Sequence, residues 1–252
     1  MAKLSIIVLQ YNHSDRTLAC LESLKPFDVP IIVVDNSSEV QHLKNVEFWI
    51  ESNGMKNYEL RMSNENLGYS GGNNIGIKRA LEKGAEQILI LNNDVILHEL
   101  PTATADITGL EAGNVFGLDY VSGAAMLVRR QVFEKIGLLD ERYFLYYEDV
   151  EFCVRAKKAG FTLSGSTAQF THAVSASTSS LGAANLLYYH TRNALLLLKT
   201  HASWHIRAAL PLWQFWIKLK QHAKLLFGRE PEISRAILQG VKDYENNRFG
   251  AK

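Results

Sequence analysis

Three apolar segments of strand length restrict the folds available to this chain. They cover residues 4–9, 30–34 and 87–91, and each is followed by polar residues. Uninterrupted apolar residues are typical of parallel strands that are buried on both faces. A helical pattern of leucines at positions 18, 21 and 24 connects the first two segments and completes a strand–helix–strand unit. The sequence therefore predicts an α/β fold with a mostly parallel central sheet flanked by helices.

Polar residues that follow these strands are candidates for ligand binding. Tyr11 and Asn12 follow the first strand, Asp35 follows the second, and Asp94 closes an Asn-Asn-Asp run after the third. In open α/β sheets, ligands bind at the carboxyl ends of the strands. A carboxylate at such a position can hold a divalent cation against phosphate oxygens, although Asn and Asp also favour plain turns.

A glycine-rich stretch at residues 64–74 precedes a helical pattern that runs to Lys83. Glycines at positions 68, 71 and 72 would let the backbone approach a ligand, and the free N–H groups at the helix start would suit an anion. Turns alone explain most clusters of this kind.

Two regions between the main strands are less regular. Residues 46–50 and 59–62 have the composition of short strands. Residues 99–118 are predicted to form a connection that contains a short helix.

Residues 143–155 combine aromatic with acidic side chains. The run from Tyr143 to Tyr147 leads directly into Glu148 and Asp149, which would open a helix. Acidic residues at a helix start are stabilised by free N–H groups and by the positive end of the helix dipole. The same position would hold a carboxylate rigidly beside aromatic side chains that raise its proton affinity, as suits a general base. A helix cap and a catalytic base are thus the two interpretations of Asp149.

The charge distribution divides the chain in two. Residues 1–181 contain 16 Lys plus Arg and 22 Asp plus Glu, whereas residues 182–252 contain 11 and 4. The second part has a helical pattern, and residues 204–227 interleave three tryptophans with basic residues. Such a helix either packs against the preceding domain or lies on an anionic membrane surface. We expect a ligand-binding domain over residues 1–181 and a helical extension over residues 182–252 that packs on it.

The composition indicates a globular, cytoplasmic protein that can be peripheral on the inner face of the cell membrane. Apolar residues make up 47% of the chain and charged residues 21%, which suits a substantial core. Cys20 and Cys153 lack a metal-binding spacing and indicate a reducing compartment. No signal peptide is expected, because Lys3 is followed at once by an apolar run of strand length and then by polar residues. No membrane span is expected, because no window reaches about 18 uninterrupted apolar residues. No nucleic-acid-binding signature accompanies the basic residues, so nucleic acid is not an expected partner.

Several segments together resemble the inverting glycosyltransferases of family 2, most closely their bacterial rhamnosyltransferase-like members. The matching segments, in the family's order, are residues 5–12, 33–38, 66–76, 89–94, 122–126, 144–152, the segment around His172, and residues 188–193. The resemblance implies the GT-A fold, which is Rossmann-like, followed by a C-terminal helical extension.

The resemblance implies a binding site for a nucleoside-diphosphate sugar donor. Its residues would be Tyr11, Asn12, Asp35, Asn66, Gly68, Gly71, Gly72, Asn92 and Arg192. Asp35 would read the nucleotide base, residues 66–72 would line the ribose and diphosphate, and Arg192 would contact a phosphate or the acceptor.

The resemblance also implies catalytic and metal-binding residues. Asp149 matches the catalytic base, and Glu148 matches its acidic neighbour. Asp94 matches the last acid of the motif that binds Mg²⁺ or Mn²⁺, and His172 matches a histidine that adds a metal ligand in some members. Where relatives often carry an earlier acid in this motif, the chain has Asn92, whose amide is a weaker ligand.

The implied activity is inverting transfer of a sugar from dTDP-rhamnose or a UDP-sugar to a hydroxyl of a glycan or lipid-linked acceptor, in bacterial cell-surface polysaccharide synthesis. A catalytically silent module that binds sugar nucleotides is one alternative, which Asn92 would suit. A nucleotidyltransferase is the other, but residues 10–15 lack the basic glycine-rich signature usual there. The Ser- and Thr-rich residues 175–180 are expected to form a loop that closes over substrate.

Overall fold

A computed structural model describes residues 3–172 and 182–252 of the chain. The loop predicted at residues 175–180 lies outside the described residues. The described chain divides into two compact units, of which the first contains residues 3–141 and 148–172 and the second contains residues 142–147 and 182–252. The boundary at residue 181 that the charge distribution indicates stays a prediction.

A seven-stranded sheet forms the centre of the first unit. The described strands of the first unit, of which seven form this sheet, are β1 (Leu4–Gln10), β2 (Ile31–Asp35), β3 (Tyr58–Met62), β4 (Gln87–Asn92), β5 (Val95–Leu97), β6 (Ile107–Gly109), β7 (Ala112–Val115), β8 (Leu118–Val121), β9 (Ala125–Arg129), β10 (Leu163–Gly165) and β11 (Phe170–His172). The strand order is β10-β6-β9-β4-β1-β2-β3, while β5 pairs with β11 and β7 with β8. Only the two pairings of β9, with β4 and with β6, are antiparallel in this sheet. The predicted α/β fold with a mostly parallel sheet is therefore confirmed.

Five helices belong to the first unit and three to the second within the described residues. They are α1 (Ser14–Leu24), α2 (Val40–Ser52), α3 (Gly68–Glu82), α4 (Arg130–Ile136) and α5 (Glu148–Lys158), followed by α6 (Gly182–His201), α7 (Trp204–Leu226) and α8 (Pro231–Glu245). Helices cover both faces of the sheet. Ile7 of β1 packs in one core cluster with Ile77 of α3, whereas Ile6 packs in the other with Leu21 of α1.

The predicted strand at residues 46–50 is wrong, because these residues belong to helix α2. Val46 is fully buried, and Trp49 and Ile50 pack against the same core cluster, whereas Phe48 is exposed. Contacts at i, i+3 and i+4 follow the helical period. The predicted strand at residues 59–62 is confirmed as part of β3.

The connection predicted at residues 99–118 contains strands instead of a helix. Strands β7 and β8 form a hairpin whose two-residue turn is Phe116 and Gly117. Both residues have positive φ, 53° and 78°, as hairpin turns that match strand twist require. A phenylalanine at a left-handed position is uncommon, which explains why composition did not reveal the turn.

Helix α3 begins at Gly68, so the glycine-rich stretch lies within the helix. A Cβ added at Gly72 would lie 2.5 Å from Leu9 Cδ1, and one added at Gly76 would lie 2.5 Å from Ile7 Cγ2. These glycines therefore let the helix backbone approach strand β1 closely.

Gly76→Ala is expected to lower the free energy of unfolding by about 1–3 kcal/mol, because the added methyl group overpacks a buried contact with Ile7. Urea unfolding followed by circular dichroism measures the change. Gly165→Ala is the matched control, since a Cβ at Gly165 would meet nothing within 4 Å. Equal stability of the two variants would contradict this packing.

The second unit is built from α6, α7 and α8 together with residues 142–147. Tyr188 and Tyr189 of α6 form a core cluster with Ala236 of α8, and Phe144 packs against it. Across residues 3–172 and 182–252, no helix combines the length and apolar character that crossing a membrane requires.

Candidate active site

The acid pair Glu148 and Asp149 opens helix α5, as the sequence predicts. The Glu148 side chain is buried, whereas Asp149 is half-buried. Asp149 Oδ2 accepts a hydrogen bond of 3.0 Å from the backbone N–H of Gly123, and Asp149 Oδ1 accepts one of 2.8 Å from the N–H of Val150. Two backbone donors thus orient this carboxylate on the first turn of a packed helix.

Gly123 and Tyr69 support Asp149, a role that the sequence alone did not indicate for either residue. The Tyr69 hydroxyl donates a hydrogen bond to the carbonyl oxygen of Gly123, whose N–H donates to Asp149. A Cβ at Gly123 would lie 2.8 Å from the Tyr69 hydroxyl oxygen, so only glycine fits between the two side chains. The available signal was the Ser-Gly-Ala segment at residues 122–124, which belongs to the family resemblance.

Burial shapes the protonation of the acid pair. It raises the pKa of Asp149, and the backbone hydrogen bonds from Gly123 and Val150 lessen that rise. Burial, followed by the charge of Asp149, raises the pKa of Glu148 well above its ordinary value. Glu148 Oε2 accepts no hydrogen bond within the described chain. Glu148 therefore favours its neutral form more strongly than Asp149 does.

The charges of three carboxyl groups act on the Tyr69 hydroxyl. Burial raises the pKa of Tyr69, and the charges of Glu148, Asp149 and Asp94 raise it further. The interaction between two charges weakens as the distance between them grows. The acid pair of α5 and the carboxylate after β4 therefore converge on one region of the first unit.

Asp94 and His172 come together because strands β5 and β11 are antiparallel. His172 lies opposite Val95 in this pairing, which places it beside Asp94. His172 Nε2 is 3.5 Å from Asp94 Oδ1, and His172 Nδ1 is 3.2 Å from Glu111 Oε1. The Asp94 side chain is buried, and its Oδ1 accepts no hydrogen bond from any described residue.

These two side chains fit part of a metal site. A carboxylate oxygen and an imidazole nitrogen are ligand types that Mn²⁺ accepts, and an unsatisfied buried oxygen is well suited to a cation. No group of three His, Cys, Asp or Glu side chains that could hold a metal occurs within residues 3–172 and 182–252. A metal at Asp94 and His172 would therefore take its remaining ligands from water or from a bound diphosphate. Asn92 ends strand β4, two residues before Asp94.

Asp35, the predicted reader of the base, ends strand β2 and is buried. Its Oδ2 accepts a hydrogen bond of 3.0 Å from Gln10 Nε2, and its Oδ1 accepts one of 2.9 Å from the N–H of Ser38. The Asn12 N–H donates to Ser38 Oγ at 2.8 Å. These bonds join the loops after β1 and β2, where Tyr11 is exposed at the edge.

Asn36 connects this edge to the start of α3, and sequence reasoning gave it no role. Its Nδ2 donates to Asn66 Oδ1 and to the Gly68 carbonyl oxygen, both at 3.0 Å, and its Oδ1 accepts from the N–H of Leu67 at 3.0 Å. Asn66 Oδ1 also accepts from the N–H of Gly68 at 2.9 Å. The buried Asn36 amide therefore holds Asn66 and Gly68 at the edge of the sheet where the sugar nucleotide is predicted to bind.

Gly71 and Gly72 do not form the open loop that the sequence suggested. Both are buried in the first turns of α3. A Cβ at Gly71 would lie 2.6 Å from Leu67 Cβ, and one at Gly72 would approach Leu9 and Asn36. Their small size serves packing against the protein itself, and the contact of these residues with a sugar nucleotide stays a prediction.

Arg192 belongs to the core of the second unit. Its side chain is fully buried and donates to the Tyr188 hydroxyl at 3.2 Å, to the Gly250 carbonyl oxygen at 2.8 Å and to Asn193 Oδ1 at 3.0 Å. The guanidinium also lies over the rings of Tyr188 and Tyr189. These contacts give Arg192 a structural role inside the second unit, and its contact with a phosphate or the acceptor stays a prediction.

Asn193 holds the backbone that leads to the acid pair. Its Nδ2 donates to the carbonyl oxygens of Leu145 at 2.8 Å and Tyr146 at 3.1 Å. Tyr146 and Tyr147 both have positive φ, 70° and 71°, a conformation that costs energy in non-glycine residues. The Tyr146 ring stacks on His190, with ring centroids 4.4 Å apart.

Solved structures identify the fold. The chain is similar to a mannosyltransferase from Pyrobaculum calidifontis in complex with GDP-Man and Mn²⁺, with a TM-score of 0.60 and 14% identity over 98% of this chain and 88% of that chain. It is also similar to GalNAc-T7 with UDP, GalNAc and Mn²⁺, with a TM-score of 0.56 and 14% identity over 68% of this chain and 43% of that chain. The central sheet and its flanking helices therefore have the GT-A fold.

Sequence comparison gives the family. Residues 5–102 match the model of glycosyl transferase family 2. A low-salt glycan biosynthesis hexosyltransferase of Haloferax volcanii is 28% identical over 64% of this chain and 63% of its own length. A dTDP-rhamnosyl transferase of Shigella flexneri is 25% identical over 77% of this chain and 79% of its own length. An N-acetylglucosaminyl-diphospho-decaprenol L-rhamnosyltransferase of Mycobacterium tuberculosis is 36% identical over 34% of this chain and 28% of its own length. Over residues 5–102 the chain therefore resembles glycosyl transferase family 2, and two of these three relatives are rhamnosyltransferases.

Proposed function

We propose that the protein is an inverting glycosyltransferase that moves a sugar from a nucleoside-diphosphate sugar to a hydroxyl group of a glycan or lipid-linked acceptor. The observation that carries this proposal is the Asp149 carboxylate, which two backbone N–H groups orient at the start of α5. Asp149 is half-buried, so it is still accessible to an acceptor.

In the proposed reaction, Asp149 takes the proton of the acceptor hydroxyl as the oxygen attacks the anomeric carbon. The bond from that carbon to the diphosphate breaks on the opposite face, and a single displacement inverts the anomeric configuration. A positioned general base of this kind contributes about 10²–10⁴-fold to the rate. The Tyr69–Gly123 pair would keep Asp149 oriented while the proton moves.

Asp94 and His172 would hold a divalent metal, Mg²⁺ or Mn²⁺, together with the donor. Such an ion, when bound, neutralises the charge that develops on the leaving diphosphate. Asn92 would add at most a weak amide ligand. The loops joined by Asp35, Asn12 and Asn36 would bind the nucleotide at the same edge of the sheet.

The identities of donor and acceptor are proposed by similarity. The Shigella flexneri relative is a dTDP-rhamnosyl transferase, which supports dTDP-rhamnose as the donor, with a UDP-sugar as the second choice. The name of the mycobacterial relative supports a lipid-linked acceptor. Such an acceptor would fit a protein of the cytoplasm that works at the inner face of the cell membrane in cell-surface polysaccharide synthesis.

Release of nucleoside diphosphate from a panel of sugar nucleotides tests this function. With Mn²⁺ or Mg²⁺ and a lipid-linked or glycan acceptor, at least one donor is expected to give release that depends on the acceptor. Donor binding without release from any pair would favour the silent module. Release of pyrophosphate from a nucleoside triphosphate would indicate a nucleotidyltransferase.

The proposed base predicts a pH dependence. Asp149 accepts a proton only when it is ionised, so kcat/KM should fall as the pH drops through its pKa. Because burial raises the pKa of Asp149, this fall should occur above the value of about 3.9 that is usual for aspartate. Initial rates from pH 4 to pH 9 measure it. Glu148→Gln should leave the midpoint in place, whereas a profile that stays flat down to about pH 4 would contradict an ionising, buried base.

A further inference from the structure

Helix α7 turns polar side chains inward and apolar side chains outward. Gln214 and Gln221 are only 8% and 6% exposed, and Ser234 of α8 donates to Gln221 Oε1 at 3.1 Å. Lys218 forms an ion pair of 2.8 Å with Glu245 of the same unit. Beyond Pro211, the exposed large apolar side chains of this helix are Leu212, Trp213, Phe215, Trp216, Leu219 and Leu226. A surface helix in water normally shows the reverse arrangement, so the outward side is built for an apolar environment.

These six exposed residues form one continuous surface, here named the outer face. Leu212, Trp216, Leu219 and Leu226 are separated by four, three and seven positions, which places them along one side of a helix. Leu212 and Trp216 are 62% and 56% exposed. Trp213 and Phe215 widen the stripe on either side. Contiguous apolar surface of this kind marks an interaction site.

The surrounding charge distinguishes between partners. Residues 182–252 carry 11 Lys plus Arg against 4 Asp plus Glu. Lys220 is exposed on α7, and Arg229 is exposed just beyond its end. Tryptophan is enriched where a membrane meets water, and long basic side chains can reach from an apolar surface to lipid phosphates. A purely proteinaceous partner would not require this excess of positive charge.

We propose that the outer face of α7 inserts shallowly into an anionic lipid surface, with Lys220 and Arg229 contacting the headgroups. Amphipathic helices lie in the membrane interface in this way, and basic residues strengthen the attachment. None of the described helices is long and apolar enough to cross a membrane, so the proposed attachment is peripheral.

Sedimentation of the full-length protein with vesicles tests the proposal. The protein should bind vesicles of phosphatidylcholine and phosphatidylglycerol, and it should bind pure phosphatidylcholine about tenfold or more weakly. Leu212→Glu combined with Trp216→Glu should weaken binding by about tenfold or more. Phe48→Glu is the matched control, because Phe48 is 72% exposed on helix α2 of the first unit, and it should leave binding unchanged. All variants should keep the wild-type melting temperature, because the altered side chains are exposed.

Two further measurements address charge and depth. Lys220→Glu should weaken binding to anionic vesicles about fivefold or more, whereas Lys44→Glu, an exposed position of α2, should not. In a Trp49→Phe background, the remaining tryptophans lie in α7, and lipids brominated on the acyl chain should quench their emission.

Vesicle binding that is absent, or unchanged by the outer-face substitutions, would overturn the proposal. So would a wild-type dimer in sedimentation equilibrium that these substitutions dissociate, because the outer face would then be an interface between copies of the chain.

Discussion

Asp149→Asn is expected to lower kcat by about 10²-fold or more while donor affinity stays close to that of the wild type. The amide has nearly the same shape as the carboxylate but cannot accept the acceptor proton. It can still accept the hydrogen bond from the Gly123 N–H through its carbonyl oxygen, so the local structure should persist. Steady-state rates give kcat, and calorimetry with the intact donor or with nucleoside diphosphate gives the affinity.

Two variants make this result interpretable. Asp119→Asn removes an exposed carboxylate that pairs with Lys157 and should leave turnover unchanged. Glu148→Gln replaces a buried carboxyl that favours its neutral form, so it should cost far less than Asp149→Asn. Near-normal turnover of Asp149→Asn together with an inactive Glu148→Gln would assign the base to Glu148.

Asp94→Ala is expected to abolish the contribution of Mn²⁺ to nucleoside diphosphate binding. Asp94 Oδ1 is buried without a hydrogen-bond donor among the described residues, and it lies 3.5 Å from His172 Nε2. Removing this carboxylate from a site with few protein ligands should weaken metal-supported binding by about 10²-fold. Calorimetric titrations of nucleoside diphosphate with and without Mn²⁺ measure the effect independently of turnover.

Substitutions at neighbouring ligands sharpen this test. His172→Asn should reduce the Mn²⁺ effect less than Asp94→Ala does, because an amide can still act as a ligand. Asn92→Asp should increase it, since a carboxylate binds the cation more strongly than an amide. Wild-type affinity that is independent of Mn²⁺ and Mg²⁺ would contradict a metal at Asp94.

The parts of the fold that the sequence predicted depend on local periodicity. Strands β1, β2 and β4 each contain an apolar run of strand length, and α5 follows from acids placed before a helical pattern. The misread strand at residues 46–50 shows the limit of short windows, because an apolar run of strand length also fits one buried side of a helix.

The support of the candidate site depended on contacts between distant parts of the chain. Tyr69 and Gly123 are 54 positions apart, and Gly123 and Asp149 are 26 apart. No local pattern links such residues, so only the folded chain reveals that Tyr69 and Gly123 orient Asp149. The antiparallel pairing that brings His172 to Asp94 was likewise not evident from composition, although the family resemblance named both residues.

Arg192 and the glycines of α3 show that the residue type at a position does not determine which contacts its side chain makes. The resemblance implied that Arg192 contacts a phosphate or the acceptor, which stays a prediction, whereas the fold shows a fully buried guanidinium bonded to Tyr188, Gly250 and Asn193. Gly71 and Gly72 looked like a ligand-binding loop but serve helix packing. Whether a side chain is buried depends on the whole fold, so local sequence did not reveal these internal contacts.

The anomeric configuration of the first transfer product tests the central mechanism most directly. The one-bond carbon–proton coupling at the anomeric carbon distinguishes the two configurations by NMR, both in the donor and in the product. Single displacement with Asp149 as the base predicts that the configuration is inverted. A product that retains the donor's configuration would contradict this mechanism.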